Sequence, residues 1–267
     1  MSTPPKVFLV TGGSSGIGKA VCVRLAAAGH RVFGTSRKPG GAPEGYSMLP
    51  MDLADEASVR KAVEAVIAQA GRIDVVVNNA GLGIQGATED LTPEQAASLF
   101  DTNVLGAHRV CRAALPHMRA QGSGLLINVT SLAANFGLPY RGFYSASKAA
   151  LERYTETLNM EVRPFGIRAV TLQPGEYKTN IGGSRIRPAE VGAPYEKGYG
   201  RAMELLGSSQ HYSRDPDEVG RLVLRIMAER DPVGVYYAAH GKQRLAVLLK
   251  KLLPAGLFQR LMMREYR

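Results

Sequence analysis

The feature that most restricts this chain is a steady alternation of short apolar runs with amphipathic stretches, kept up from residue 6 to about residue 240. Residues 6–10 form a β-branched and aromatic run, followed at once by glycines and then by a helix expected to reach Ala28, with Gly29 closing it. A second strand is expected over 31–35. A third ends near Asp52, and Asp55 reads as the N-cap of a helix to about Ala70. Residues 73–77 are almost wholly apolar, which suits a strand buried on both faces. Thr92 and Gln95 make a capping box with Pro93 at the first helical position, so one long helix is expected to about Ala120. Strands over 124–129, 167–172 and 232–239 follow, with helices over 144–163 and after the Asp215–Glu218 cap. Strands separated by helices form right-handed crossovers and a mostly parallel sheet. The expectation is an α/β fold: one doubly wound parallel sheet of about seven strands, helices on both faces, and a C-terminal helical extension.

Composition narrows this further. A chain of 267 residues is within the range of a single α/β domain. Its 45% hydrophobic and 21% charged residues exclude wholesale disorder. No run of about 18 apolar residues is present, so a membrane-crossing helix is not expected. The chain passes from Met1 into its first strand without a secretory signal, and two cysteines cannot build a disulfide framework, so a cytoplasmic protein is expected. The net charge of +10 is uneven: residues 241–267 hold seven basic residues against Glu265 alone. The expected organisation is a catalytic domain over 1–240, with an irregular substrate-binding loop over 176–212. Residues 241–267 form a basic amphipathic extension that is not an independent domain.

Between the first strand and first helix lies Thr11-Gly12-Gly13-Ser14-Ser15-Gly16-Ile17-Gly18. Gly12 permits a tight turn, Gly16 a close backbone approach and Gly18 close helix packing, while the helix N-terminus offers free N–H groups to a pyrophosphate. A structural turn is the competing reading, and the position directly after strand one weighs against it. The second strand ends in Ser36-Arg37-Lys38, where an NAD-specific site would place Asp or Glu for the ribose 2′-hydroxyl. A guanidinium there grips a 2′-phosphate instead, so NADP is expected over NAD.

Tyr144 and Lys148 stand four residues apart at the start of a helix and share one face. A tyrosine keeps its proton to about pH 10, and an ammonium beside it favours the phenolate, which brings it into use as an acid or base. Ser131, at the end of the fifth strand, can hydrogen-bond a substrate oxygen as charge develops. The carboxyl ends of parallel strands are where such sheets build their sites.

Thr11-Gly12-x3-Gly16-x-Gly18, Asn78-Asn79-Ala80-Gly81, Asn103, Ser131, Tyr144-x3-Lys148 and Pro174-Gly175-x3-Thr179 occur together in that order. This set resembles the short-chain dehydrogenase/reductases, Rossmann-type enzymes, over about residues 6–240. The resemblance implies that Tyr144 is the general acid for carbonyl reduction and the base for alcohol oxidation, and that Lys148 also holds the nicotinamide ribose. It implies that Ser131 orients the substrate oxygen and Asn103 anchors a relay water. Asp52-Leu53 is similar to the pair that recognises adenine. Asn79, Ala80 and Gly81 would pack beside the cofactor, and Pro174, Gly175 and Thr179 would clamp the carboxamide, with Tyr177 between them. Thr35-Ser36-Arg37 looks like the NADP-preferring branch. More loosely, the chain is similar to hydroxysteroid and retinol dehydrogenases, which implies a hydrophobic carbonyl or alcohol substrate. A catalytically inactive NADPH-binding sensor or scaffold is the competing function, and the presence of Tyr144, Lys148 and Ser131 speaks against it.

The five histidines show no metal-ligand spacing, so no metal is expected. Cys22 and Cys111 read as core residues. In the extension, Leu245, Leu248, Leu249 and Leu252 share a helical face, Pro254 ends that helix, and a second segment carries Leu257, Phe258, Leu261 and Met262. Three readings stand open: an apolar cover over the cleft, a dimer contact, or a peripheral contact with an anionic membrane. Because 27 residues continue past the last strand, a dimer is favoured over a tetramer. Nucleic acid is not expected, since no binding motif is present. A run of apolar residues at Tyr177, Ile181, Ile186, Tyr195, Tyr199, Met203, Leu205 and Leu206 points to a roomy apolar pocket.

Overall fold

The alternation resolves into seven strands whose side chains point by turns to two faces. In the computed structural model, which describes residues 4–40, 45–177, 185–209 and 214–266, the strands are β1 (Val7–Thr11), β2 (Arg31–Ser36), β3 (Ser47–Pro50), β4 (Val75–Asn78), β5 (Gly124–Val129), β6 (Ile167–Pro174) and β7 (Val235–Ala238). All neighbours pair in parallel, in the order β3-β2-β1-β4-β5-β6-β7. The order reverses between β1 and β4, so the crevice at their carboxyl ends is the switch point where such sheets bind ligands.

Strand β1 shows why both faces need cover. Val7 and Leu9 point into a core with α2 (Glu56–Ala70), α4 (Gly106–Gln121) and α5 (Gly142–Val162). Phe8 and Val10 point into a second core with α1 (Gly16–Ala27) and α7 (Asp217–Ala228). Period-2 alternation through a fully buried strand therefore splits one apolar run between two layers. Cys22 and Cys111 are both free and buried, one in each core, and burial pushes each thiol up to about 12. Behind the site a polar ladder crosses the first core. Asn78 donates to Asn128 Oδ1 at 2.8 Å, Asn128 donates to Thr155 Oγ1 at 2.8 Å, and Thr155 donates to the Leu151 carbonyl at 2.6 Å.

The caps form as their residues dictate. Asp55 accepts from Ala57 N, and the reciprocal pair of Thr92 and Gln95 starts α3 (Pro93–Phe100). Two expectations need correction. The single helix from Thr92 to Ala120 is interrupted by a π-helical turn, Asp101–Leu105, between α3 and α4. The polar contacts of Asn103 hold this turn, as described below. The segment 176–212 is not irregular throughout, because it contains α6 (Glu196–Ser209). The leucine face of α8 (Gly241–Leu252) is turned outward, with Leu245, Leu248 and Leu252 at 51%, 50% and 69% exposure. The inward residue is Val247, while in α9 (Ala255–Glu265) it is Phe258. Among the described residues no helix is long and apolar enough to cross a membrane.

Candidate active site

The glycine loop sits at the carboxyl end of β1 and leaves little room for a side chain at Gly12, Gly13 or Gly18. Gly12 and Gly16 take positive φ, +71° and +54°, which suits glycine alone. A Cβ at Gly18 would overlap the carbonyl oxygen of Gly12 and lie 2.5 Å from Asn79 Nδ2. Gly18 therefore packs the start of α1 against the turn itself. Thr11 Oγ1 accepts from the N–H groups of Asn79 and Ala80 at 3.0 Å, and Asn79 Nδ2 donates back to Thr11 O at 3.0 Å. These bonds lock the loop to the end of β4. Ser15 is the N-cap of α1, and its side chain makes no capping bond. Tyr46, which the sequence did not single out, donates to Gly13 O at 2.9 Å and holds the loop from the far side.

At the end of β2, the Ser36 hydroxyl is buried without a partner, and Arg37 is exposed and makes no ion pair among the described residues. Asp52 is exposed and accepts from Ala54 N at 3.0 Å. Leu53 packs inward against Gly106, and its carbonyl accepts from Arg109 at 2.8 Å. Only its main chain is available at the rim.

The catalytic candidates converge where β4, β5 and α5 meet. Lys148 is buried and donates from Nζ to Val129 O at 3.0 Å, with Nζ 6.0 Å from the Tyr144 ring centroid. Burial pulls the Lys148 ammonium below the usual lysine range, and Tyr144 acts against that shift. Ser131 caps a short 3₁₀ turn, Leu132–Ala134, and its Oγ accepts from Ala133 N at 3.2 Å. Among the described residues nothing accepts its own proton, which leaves it available to a substrate oxygen. Gly81 lies where these groups approach: a Cβ on it would stand 3.0 Å from Asn103 Oδ1 and 3.5 Å from Lys148 Nζ. Asn103, in the π turn, accepts from Leu82 N at 2.7 Å and donates to Leu82 O at 3.0 Å and to Ser147 Oγ at 3.1 Å. Ser147 donates onward to Tyr144 O at 2.9 Å. The chain Leu82–Asn103–Ser147–Tyr144 thus positions the tyrosine. Both amide protons of Asn103 are taken up in it.

Pro174 ends β6, and the N–H of Gly175 donates to Ala238 O at 2.8 Å. Gln243 of α8 lies so close to Gly175 that a Cβ there would overlap its Oε1. Tyr177 turns into the sheet core, at 7% exposure, and donates to Ala238 O at 3.1 Å. Its ring is not part of the cofactor cradle, so only its main chain can serve there. Thr179 and Ile181 lie outside the described residues. Of the other pocket candidates, Ile186 packs with Tyr144, Phe143 and Leu82 on the apolar cluster of Ile84, Leu91 and Leu99. Tyr199 meets Tyr140 edge-on at 5.9 Å.

Two arginines near Tyr144 were not legible beforehand. The Arg141 guanidinium stands 5.2 Å from the Tyr144 ring centroid, and Arg185 is half-buried against Gly83. Burial first, then the neighbouring Arg141 charge, lowers the Arg185 pKa. Arg141 is the N-cap of α5, three residues before Tyr144, whereas Arg185 arrives from far along the chain through the pairing of Ile84 with Ile186.

The residues fit a nicotinamide dinucleotide. A glycine-lined cradle lies at a helix N-terminus, an unpartnered hydroxyl at the ribose position of β2, and a cleared approach over Gly81 to Lys148. The short chain dehydrogenase family model matches residues 6–189. The chain is 39% identical over 230 residues to a 3-ketodihydrosphingosine reductase of Bacteroides thetaiotaomicron, covering 85% of this chain and 86% of that one. It is 33% identical over 279 residues to human 17-beta-hydroxysteroid dehydrogenase type 1, covering 94% and 82%. A solved short-chain dehydrogenase from Streptomyces avermitilis matches it with a TM-score of 0.83 at 31% identity, over 100% of this chain and 97% of that one.

Proposed function

The chain belongs to the short-chain dehydrogenase family, nicotinamide-dependent oxidoreductases acting on CH–OH and C=O groups, and from that premise we propose that it moves hydride between NADP(H) and the carbonyl or secondary alcohol of a hydrophobic substrate. The observation that carries this reading is the Tyr144–Lys148 pair beside Gly81, with Lys148 bonded to the carbonyl of Val129 at the end of β5, two residues before Ser131.

Bound there, a nicotinamide supplies or accepts the hydride. The protein's own residues do the rest. In reduction the Tyr144 hydroxyl gives its proton to the substrate oxygen, and in oxidation it takes one back. The Lys148 ammonium, one helical turn away, stabilises the phenolate that forms. With one N–H spent on Val129 O, its other donors remain for the ribose hydroxyls of the cofactor. Ser131 accepts from Ala133 N and so directs its own O–H at the substrate oxygen. Asn103 and Ser147 keep the Tyr144 backbone in register. Gly12, Ser14, Ser15, Gly16, Ile17 and Gly18 would hold the pyrophosphate, and Asp52 the adenine. Asn79, Ala80 and Gly81 would line the cofactor, with Pro174 and Gly175 at its nicotinamide end.

NADP rather than NAD is favoured by the unpartnered Ser36 hydroxyl, the Arg37 guanidinium free for a 2′-phosphate, and a β2 end without a carboxylate. A hydrophobic substrate is favoured by the apolar wall around Ile84, Ile186 and Tyr144. Two relatives are named for a ketodihydrosphingosine and a hydroxysteroid, names that carry a ketone in one case and an alcohol in the other. The reading includes a homo-oligomer, dimer before tetramer. It also includes a cytoplasmic location with peripheral membrane contact through residues 241–267.

Titration with NADPH and NADH, followed by nicotinamide fluorescence, tests the cofactor reading. NADPH should bind at least about tenfold more tightly, the worth of one charge-assisted contact. The variant Ser36→Asp with Arg37→Ala should lose that margin. Equal affinities in the wild type, or an unchanged preference in the variant, would remove NADP from the proposal.

A further inference from the structure

The function leaves the C-terminal helices unexplained, and their surface is unlike the rest of the molecule. Six of the eleven large hydrophobic residues that stand exposed among the described residues lie after residue 240, in about a tenth of the chain. Single exposed leucines are ordinary; this concentration is not. Helical spacing sorts α8 into two opposite faces. Val247 and the half-buried Gln243 face the protein, where Gln243 sits on Gly175. Leu245, Leu248 and Leu252 form a stripe on the far side, with Arg244 and Lys251 along one border and Lys242 along the other. In α9, Phe258 points inward and meets Phe136 at 5.4 Å, with Lys250 of α8 over its ring at 5.4 Å. Leu257 and Leu261 are exposed one turn apart, beside Arg260 and Arg264 at the same spacing.

An apolar stripe bordered by basic side chains is the pattern of a helix that lies in a lipid headgroup layer. The geometry points to α8 and α9 as a docking surface for an anionic lipid bilayer, with the exposed leucines entering the acyl boundary and the lysines and arginines meeting the headgroups. This rests on the peripheral contact included in the proposed function and adds its lipid class, residues and orientation. Two other occupants are disfavoured by what the helices show. A cover over the cleft would bury the leucines, which are exposed. A second copy docked through the same face would bring together two segments that each carry seven basic residues against one acidic residue. The anchoring contacts also give the docking a consequence. Phe136 follows Ser131 in the segment that leads to Tyr144, and Gly175 directly follows β6, the strand beside it, so a docked tail holds the catalytic edge of the sheet against the bilayer.

Vesicle flotation of the full chain tests this without requiring turnover. Binding to phosphatidylcholine vesicles containing about 30% phosphatidylglycerol should exceed binding to pure phosphatidylcholine by at least about tenfold, and should fall steeply with salt. Leu245→Ser with Leu248→Ser and Leu252→Ser should cut binding to the anionic vesicles by about tenfold. Lys251→Glu with Arg260→Glu and Arg264→Glu should abolish the preference for them. All six positions are exposed, so far-UV circular dichroism and NADPH affinity should stay unchanged in both variants. Equal binding to neutral and anionic vesicles, no binding to either, wild-type binding by both variants, or a dimer that the leucine variant dissociates would overturn the proposal. Binding without reduction of any hydrophobic ketone would instead overturn the enzymatic reading and leave the docking surface standing.

Discussion

The glycine loop and the C-terminal helices both rest on the carboxyl edge of the sheet, and they are held there by opposite means. The loop is fixed by backbone. Thr11, Asn79 and Tyr46 bond its main chain, and at Gly18 there is no space for one methyl group. The helices are fixed by a few side chains, chiefly Val247, Gln243 and Phe258, while their leucines face outward. A site held by backbone tolerates little substitution and so shows in the residues themselves. A segment held by side chains tolerates much, and its residues reveal the helix but not the direction it faces.

Four changes probe this difference. The largest effect belongs to the chemistry between the two regions. Tyr144→Phe should lower kcat/KM by about a thousandfold, within the usual range for a lost general acid, with NADPH affinity unchanged. Steady-state kinetics alongside a fluorescence titration measure both, and surviving turnover would refute the assignment. In the loop, Gly18→Ala should cost about 1–3 kcal/mol through overpacking and weaken cofactor binding as well. Urea denaturation with and without NADPH reads the two effects, and a loss confined to affinity would mean that the loop can yield.

Lys148→Met should inactivate the protein yet stabilise it by about 1–2 kcal/mol near neutral pH, because it removes a buried charge that makes no ion pair among the described residues. The sign follows from the lowered Lys148 pKa. The unfolded chain keeps its proton to about pH 10.4 while the native chain releases it earlier, so wild-type stability gains as pH rises through that window. The advantage of the variant should therefore shrink as pH rises toward about 10.4, and a constant gap would show that the charge is not what destabilises. The smallest global effect is expected in the tail. Phe258→Ala should leave the main unfolding transition within about 1 kcal/mol of wild type, since local opening there is separate from the core. Hydrogen exchange over 241–265 should nevertheless accelerate by an order of magnitude or more. A large shift of the main transition would place the helices inside the cooperative unit and erase the contrast with the loop.

The same contrast explains what could be read in advance. The sheet was legible because β1, β4 and β5 are buried on both faces and admit only apolar residues at most positions. Tyr144 and Lys148 were legible because one helix turn fixes their spacing. The π turn at Asp101–Leu105 was not, because Pro93 to Gln121 reads as unbroken helix and the departure is stabilised by Leu82, which lies far back in the chain. Ser147 carries no mark in the sequence, although its bond to Asn103 joins that turn to the tyrosine. Arg141 and Arg185 are neighbours only through the pairing of Ile84 with Ile186 and the bond from Gly86 to Tyr140. Leu53 and Tyr177 were assigned by motif position, and their side chains are instead claimed by apolar packing.

The polar ladder from Asn78 through Asn128 to Thr155 bears on which folds are forbidden. A wall of valines and leucines would accept α5 displaced by a residue along the sheet at modest cost, since apolar contacts are non-directional. The two asparagines and the threonine are not so permissive, because a shifted helix strands buried amides at about 1–3 kcal/mol each. The ladder therefore penalises misregistered packings that carry Tyr144 and Lys148 away from β5. Its worth lies in singling out one arrangement of the chain from its near neighbours.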